Sequence, residues 1–152
     1  MALSLAIHVL FAVIWVGGMF FAYVCLRPVA AQQLEPPQRL RLWVGVFRRF
    51  FPVVWLAWPL VVATGYGMVA KLGGMGAVPL FVHVMNGLGL VMVAIFLYVF
   101  FLPWKALSAA VGEERWPDGA TALARIRQAV AVNTLIGLVV VMVASGGRFL
   151  VL

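Results

Sequence analysis

The chain has 152 residues, 66% of them hydrophobic and 10% charged, with a mean hydropathy of +1.13 and a formal charge of +7. This composition excludes an ordinary soluble domain, and the length suffices for one domain. The basic balance does not call for nucleic acid, because the cations are distributed as membrane topology distributes them.

A helix needs about 20 apolar residues to cross a hydrocarbon core of about 30 Å. Four stretches meet that requirement, at approximately 3–26, 50–70, 78–103 and 130–150. Their apolar residues run continuously instead of alternating, which predicts helices and not barrel strands. The first run lacks a basic leading region and is followed by Arg27-Pro28 instead of small residues, so it reads as a retained helix and not as a cleaved signal. The one cysteine, Cys25, cannot form an internal disulfide.

Between the first and second spans, "PPQRLRLWVGVFRRFF" places Leu40, Trp43, Val44, Phe47 and Phe50 on one helical face and Arg41, Gly45, Arg48 and Arg49 on the other. This predicts a separate interfacial helix at approximately 37–49. Pro52 and Pro59 are expected to kink the second span, and "ATGYGMVAKLGGMGAVP" reads as a glycine-rich turn after it. The third connection, "WKALSAAVGEERWPDGATALARIRQ", reads as two helical extensions around a "WPDG" turn. No internal repeat and no low-complexity tract stands out.

Nine of the eleven basic residues fall in the first and third connections: Arg27, Arg39, Arg41, Arg48, Arg49, Lys105, Arg115, Arg125 and Arg127. The positive-inside rule makes that side cytoplasmic and sets both termini on the periplasmic side of a bacterial inner membrane. The expected architecture is all-α: an integral membrane antiparallel four-helix bundle in one domain, 1–152. Small residues such as Gly17, Gly18, Gly65, Gly67, Gly87, Gly89 and Gly137 would let its helices approach closely. The lipid bilayer is its first partner, and self-association is left open.

Only two histidines occur, His8 and His83, each near the start of a helix that runs in the same direction. An unpaired polar group in lipid costs several kcal/mol, so an ionisable side chain in a span is a functional-site candidate by default. His8 shares a stripe with Phe11, Ala12, Trp15 and Met19, while His83 shares one with Asn86, Gly87 and Leu90. Two imidazoles at matched depth predict haem b ligated from both sides, with Trp15, Asn86 and Gly87 around it and Lys71 and Arg148 as partners for the propionates. Copper is the competing ligand, since imidazole and thioether both suit it, and Met75, in the outer turn, is placed to approach His8 and His83. Met85, two residues from His83, falls on a different face. Asn133 and Thr134 read as interhelical hydrogen-bonding groups. No nucleophile with a base, and no carboxylate within a span, is present for hydrolysis or proton pumping.

The residues "HVLFAVIWVGGMFF" with "LRP", then "FFPVVWLAWPLVVATG" and "RIRQAVAVNTLIGLVVV", resemble the copper-resistance protein D (CopD) family of small four-helix membrane proteins. His8 before "WVGG", and His83, are also similar to the histidine motifs of the related HemJ-type haem-binding protoporphyrinogen oxidases. There a His-x-Lys stands in the third helix, and here Met85 occupies the lysine position. The resemblance implies a haem- or metal-associated membrane protein. The expected function is a haem b-binding redox protein that passes electrons to or from a small oxidant, a quinone or a redox partner protein. The alternatives are a copper-binding or copper-transport protein and a structural assembly subunit.

Overall fold

The computed structural model describes residues 1–149, with the side chain of Arg148 outside the described residues. Their regular elements are all helical, without a strand, and four helices are long and apolar enough to cross a membrane. The first is α1 (Ala2–Phe20), which widens into a π-helical turn (Phe21–Leu26) and runs on as α2 (Arg27–Gln33). Pro28 carries no N–H for the turn before it, and the Arg27 N–H instead reaches the carbonyl of Ala22, five residues back.

The next helix, α3 (Pro36–Lys71), is one element of 36 residues where the sequence predicted an interfacial helix at 37–49 and a separate span at 50–70. The reason lies in its buried face. Leu40, Trp43, Val44, Phe47, Phe51, Val54 and Ala57 continue at helical spacing through Arg48-Arg49, and neither arginine is a helix stop. The helix opens with Pro36 in its first turn and a reciprocal cap in which the Gln38 Oε1 accepts the Glu35 N–H at 3.3 Å. It ends only after Lys71, where Gly73 and Gly74 take φ of 99° and 89°. Residues 63–70, which the sequence places both in the span and in the glycine-rich turn, belong to the helix, and a 3₁₀ turn (Met75–Ala77) leads on.

The third span is α4 (Leu80–Phe101), broken at Leu102 because Pro103 disfavours helical backbone in the residue before it, and continued by α5 (Pro103–Gly112). The last is α6 (Trp116–Gly146), closed by a 3₁₀ turn (Gly147–Phe149). The turn between α5 and α6 is made by residues 113–115, with Glu114 at φ 56°, and not by "WPDG". Pro117 lacks the N–H that a first helical turn leaves unpaired in any case, so it begins α6 instead of bending the chain.

The helices pair as antiparallel neighbours. Gly18 of α1 lies under the ring of Phe50, and Val16 and Met92 pack against Gly137 of α6. Between the α1/α3 pair and the α4/α6 pair runs a ring cluster. Phe51 lies 5.8 Å from Phe96, 5.8 Å from Phe100 and 5.3 Å from Trp104, all edge-on, and Trp55 meets Phe96 at 5.6 Å. Pairs of this kind contribute about 0.5–1.5 kcal/mol each beyond area burial. Buried residues of α1, α3, α4 and α6 concentrate in the half of the bundle that holds the basic connections, from Trp15 to Met19, Leu40 to Ala57, Met92 to Val99 and Gly119 to Gly137. The half that holds both termini has fewer buried residues.

A Cβ at Gly137 would come within 2.9 Å of Val16 Cγ2 and 3.2 Å of Met92 Cε, whereas one at Gly17 meets nothing within 4 Å. Gly137→Leu is therefore expected to destabilise the bundle by about 1–3 kcal/mol, and Gly17→Leu to leave it nearly unchanged. Thermal unfolding in detergent micelles compares the two.

Candidate functional site

On α1 the buried residues are Trp15, Val16 and Met19, and His8 lies two turns earlier on the same face. Its half-buried ring turns toward α3, with Nδ1 2.9 Å from the Val61 carbonyl oxygen and 3.2 Å from Thr64 Oγ1. A carbonyl oxygen only accepts, so Nδ1 carries the proton and donates. The Thr64 hydroxyl donates in turn to the Leu60 carbonyl at 2.5 Å, which fixes its oxygen beside the imidazole. In the neutral ring this leaves Nε2 as an unprotonated nitrogen, and no hydrogen bond reaches it among the described residues. A backbone carbonyl on the far nitrogen is the arrangement that orients a metal-ligating histidine.

Gly65 makes this approach feasible. A Cβ there would lie 3.2 Å from His8 Cε1, so any larger residue crowds the ring. Trp58, half-buried on the same helix, has a buried indole Nε1 with no hydrogen-bond partner among the described residues. Deeper in the bundle, buried Asn133 donates from Nδ2 to Met19 Sδ at 3.5 Å while its Oδ1 has no such partner. Thr134 donates to the Val130 carbonyl at 2.7 Å.

The second histidine is placed differently. The buried residues of α4 are Met92, Val93, Phe96 and Val99, and His83 is exposed on the opposite face. The structure thus does not bring the two imidazoles together. Hydrogen bonds tie His8 to α3, and α1 reaches α4 in the core through the edge contact of Trp15 with Phe96 at 6.3 Å. What α4 presents on its core stripe is Met85, half-buried and in line with Met92, Phe96 and Val99.

Of the remaining predicted residues, Trp15 is buried in the core, Asn86 is half-buried, and Gly87 is exposed. Lys71 is exposed at the end of α3, and Met75 is half-buried in the 3₁₀ turn. The side chain of Arg148 lies outside the described residues. Among the described residues no three His, Cys, Asp or Glu side chains gather as a metal cluster. A metal held at His8 would draw its other ligands from thioether sulfur, carbonyl oxygen or water.

Sequence reasoning named Gly65 as a close-approach residue but missed that it faces His8, and it missed Val61, Thr64 and Trp58. The available signal was a hydroxyl beside a glycine inside an apolar span, which the glycine-rich reading of "ATGYG" obscured. In ¹⁵N spectra of the labelled protein at neutral pH, His8 is expected as the Nδ1–H tautomer, and Gly65→Val is expected to abolish that signature while Gly67→Val preserves it.

No curated protein and no solved structure matches the chain. A protein-family model described as CopD, copper resistance protein D, matches residues 44–146. That match covers more than half of the chain, and with the four membrane-length helices it establishes that this multi-pass membrane protein belongs to the CopD family.

Proposed function

We propose that the protein handles copper within the membrane, with His8 as the nitrogen ligand and core-facing thioethers as its sulfur partners. The observation that carries this reading is the Nδ1–H bond from His8 to the Val61 carbonyl, which leaves Nε2 available on the core side of α1. Family membership supports copper as the cargo. Cu(I) is the form that imidazole and thioether ligands select together. Met85 on the core stripe of α4 and Met75 in the turn beyond α3 are the sulfur donors we assign.

The chain's own contribution is positional. The Val61 carbonyl and Thr64 hydroxyl hold the imidazole, Gly65 gives it room, and the terminal half in which it lies has few buried residues. By the positive-inside rule that half faces the periplasm. The haem reading would need a second axial ligand opposite His8, and the exposed position of His83 does not provide one. Its sign would be a Soret band that disappears in both His8→Ala and His83→Ala.

Purified protein in detergent, titrated with Cu(I) against a competing chelator under reducing conditions, tests the proposal. His8→Ala is expected to weaken binding at least tenfold, about 1.4 kcal/mol, and His83→Ala to leave it unchanged. Wild-type affinity in His8→Ala would end this reading. A second prediction concerns the sulfur donors: Met85→Leu is expected to weaken Cu(I) binding without altering the His8 tautomer, which separates loss of a ligand from loss of the fold.

A further inference from the structure

We propose that the open groove between α4 and α6, at the end that holds the basic connections, seats one anionic phospholipid, its phosphate held by Arg125. The groove has a volume of about 550 Å³. On α4 its wall is Val91, Ala94, Ile95 and Tyr98, and on α6 it is Arg125, Gln128, Ala129 and Val132. Both sets follow the same spacing of three, four and seven residues, so each helix turns one stripe to the groove. The two helices are antiparallel, and the last residue of the α4 set therefore meets the first of the α6 set. That is why the three polar members, Tyr98, Arg125 and Gln128, share one end.

Charge selects the headgroup. The chain has four acidic residues. Glu114 pairs with Arg41, Glu113 and Asp118 pair with Arg115, and Glu35 caps α3. Arg125 is exposed and has no acidic partner among the described residues. A phosphate accepts two parallel N–H bonds from its guanidinium fork. A choline headgroup carries a cation of its own, which the same guanidinium repels. A second copy of the chain docked on this groove would set another Arg125 at the same depth, and like charges oppose that pairing.

Shape provides for the acyl chain. Arg125 and Gln128 stand just before the last apolar stretch, and from Arg125 to Val132 the helix rises about 10 Å into it. Along that rise the floor is low, because Ala94 and Ala129 have the shortest side chains of the two stripes, while Val91, Ile95 and Val132 stand higher on either side. The groove thus passes from headgroup level into the hydrocarbon, which a soluble anion has no means to fill. One basic side chain near the membrane surface gives a preference of about fivefold for an anionic lipid.

The test uses the full chain in nanodiscs of phosphatidylcholine with phosphatidylglycerol added, and native mass spectrometry to count retained lipid. Wild type is expected to retain one phosphatidylglycerol, favoured over phosphatidylcholine about fivefold. Arg125→Gln is expected to lose that preference, and Arg127→Gln, with the same charge loss on another face of α6, to keep it. Ala94→Phe raises the floor at an exposed position, so it is expected to lose the retained lipid with every charge in place. Soluble glycerol phosphate at matched concentration is expected not to displace the lipid. An unchanged preference in Arg125→Gln, an equal loss in Arg127→Gln, full retention in Ala94→Phe, displacement by glycerol phosphate, or a lipid-free dimer that Ala94→Phe dissociates would each overturn the proposal. Copper binding plays no part in the readout, so this outcome is independent of the function proposed above.

Discussion

Ring packing around Phe51 is the constraint on which the rest of the molecule depends. In lipid there is little hydrophobic drive to bring helices together, because the tails are as apolar as the side chains. Association must come from close fit, and here that fit is concentrated. The stacked run Trp43, Phe47 and Phe51 on α3, at 5.3 Å and 5.2 Å, meets Phe96 and Phe100 of α4 and Trp104 of α5 edge-on. Small residues complete the fit, with Gly18 under Phe50 and Gly137 under Val16. This cluster locks one half of the bundle, and most of the buried residues lie in that half.

Placement of the polar groups follows from that asymmetry. With no water to turn to, a span's hydroxyls bond back along their own helices, as Thr64 does to Leu60, Thr134 to Val130 and Ser145 to Val141. His8 departs from this local pattern, since its bond crosses from α1 to the carbonyl of Val61 on α3. An imidazole oriented by a neighbouring helix, at the edge of the buried core, has a fixed donor geometry. At the opposite end the cations outnumber the acids, and the tie of Arg41 to Glu114 at 3.1 Å, with Arg41 5.0 Å over the Trp116 ring, fastens the start of α3 to the turn between α5 and α6.

The sequence disclosed the four spans, the all-helical class and the family, because continuous apolar runs and loop charge are one-dimensional signals. It also singled out His8 as a polar side chain on the core stripe. It did not disclose that 37–70 is a single helix, because Arg48-Arg49 resembles a boundary by charge while breaking no backbone hydrogen bond. Nor did it disclose that His83 faces outward, because a helix with apolar residues on every face carries no periodic mark of its buried side. The buried set of α4, from Met92 to Val99, is fixed by which rings of α3 it meets, and that pairing is not written locally. That each histidine stands near the start of its helix was legible, but the direction in which each one faces was not.

X-ray absorption at the copper edge of the Cu(I)-loaded protein addresses the central claim most directly, because it reports the ligand atoms themselves. The account predicts a first shell of one imidazole nitrogen with thioether sulfur, and loss of the imidazole signal in His8→Ala. A shell of two imidazoles without sulfur would contradict it, since His8 and His83 would then have to meet in a way that this arrangement of helices does not provide.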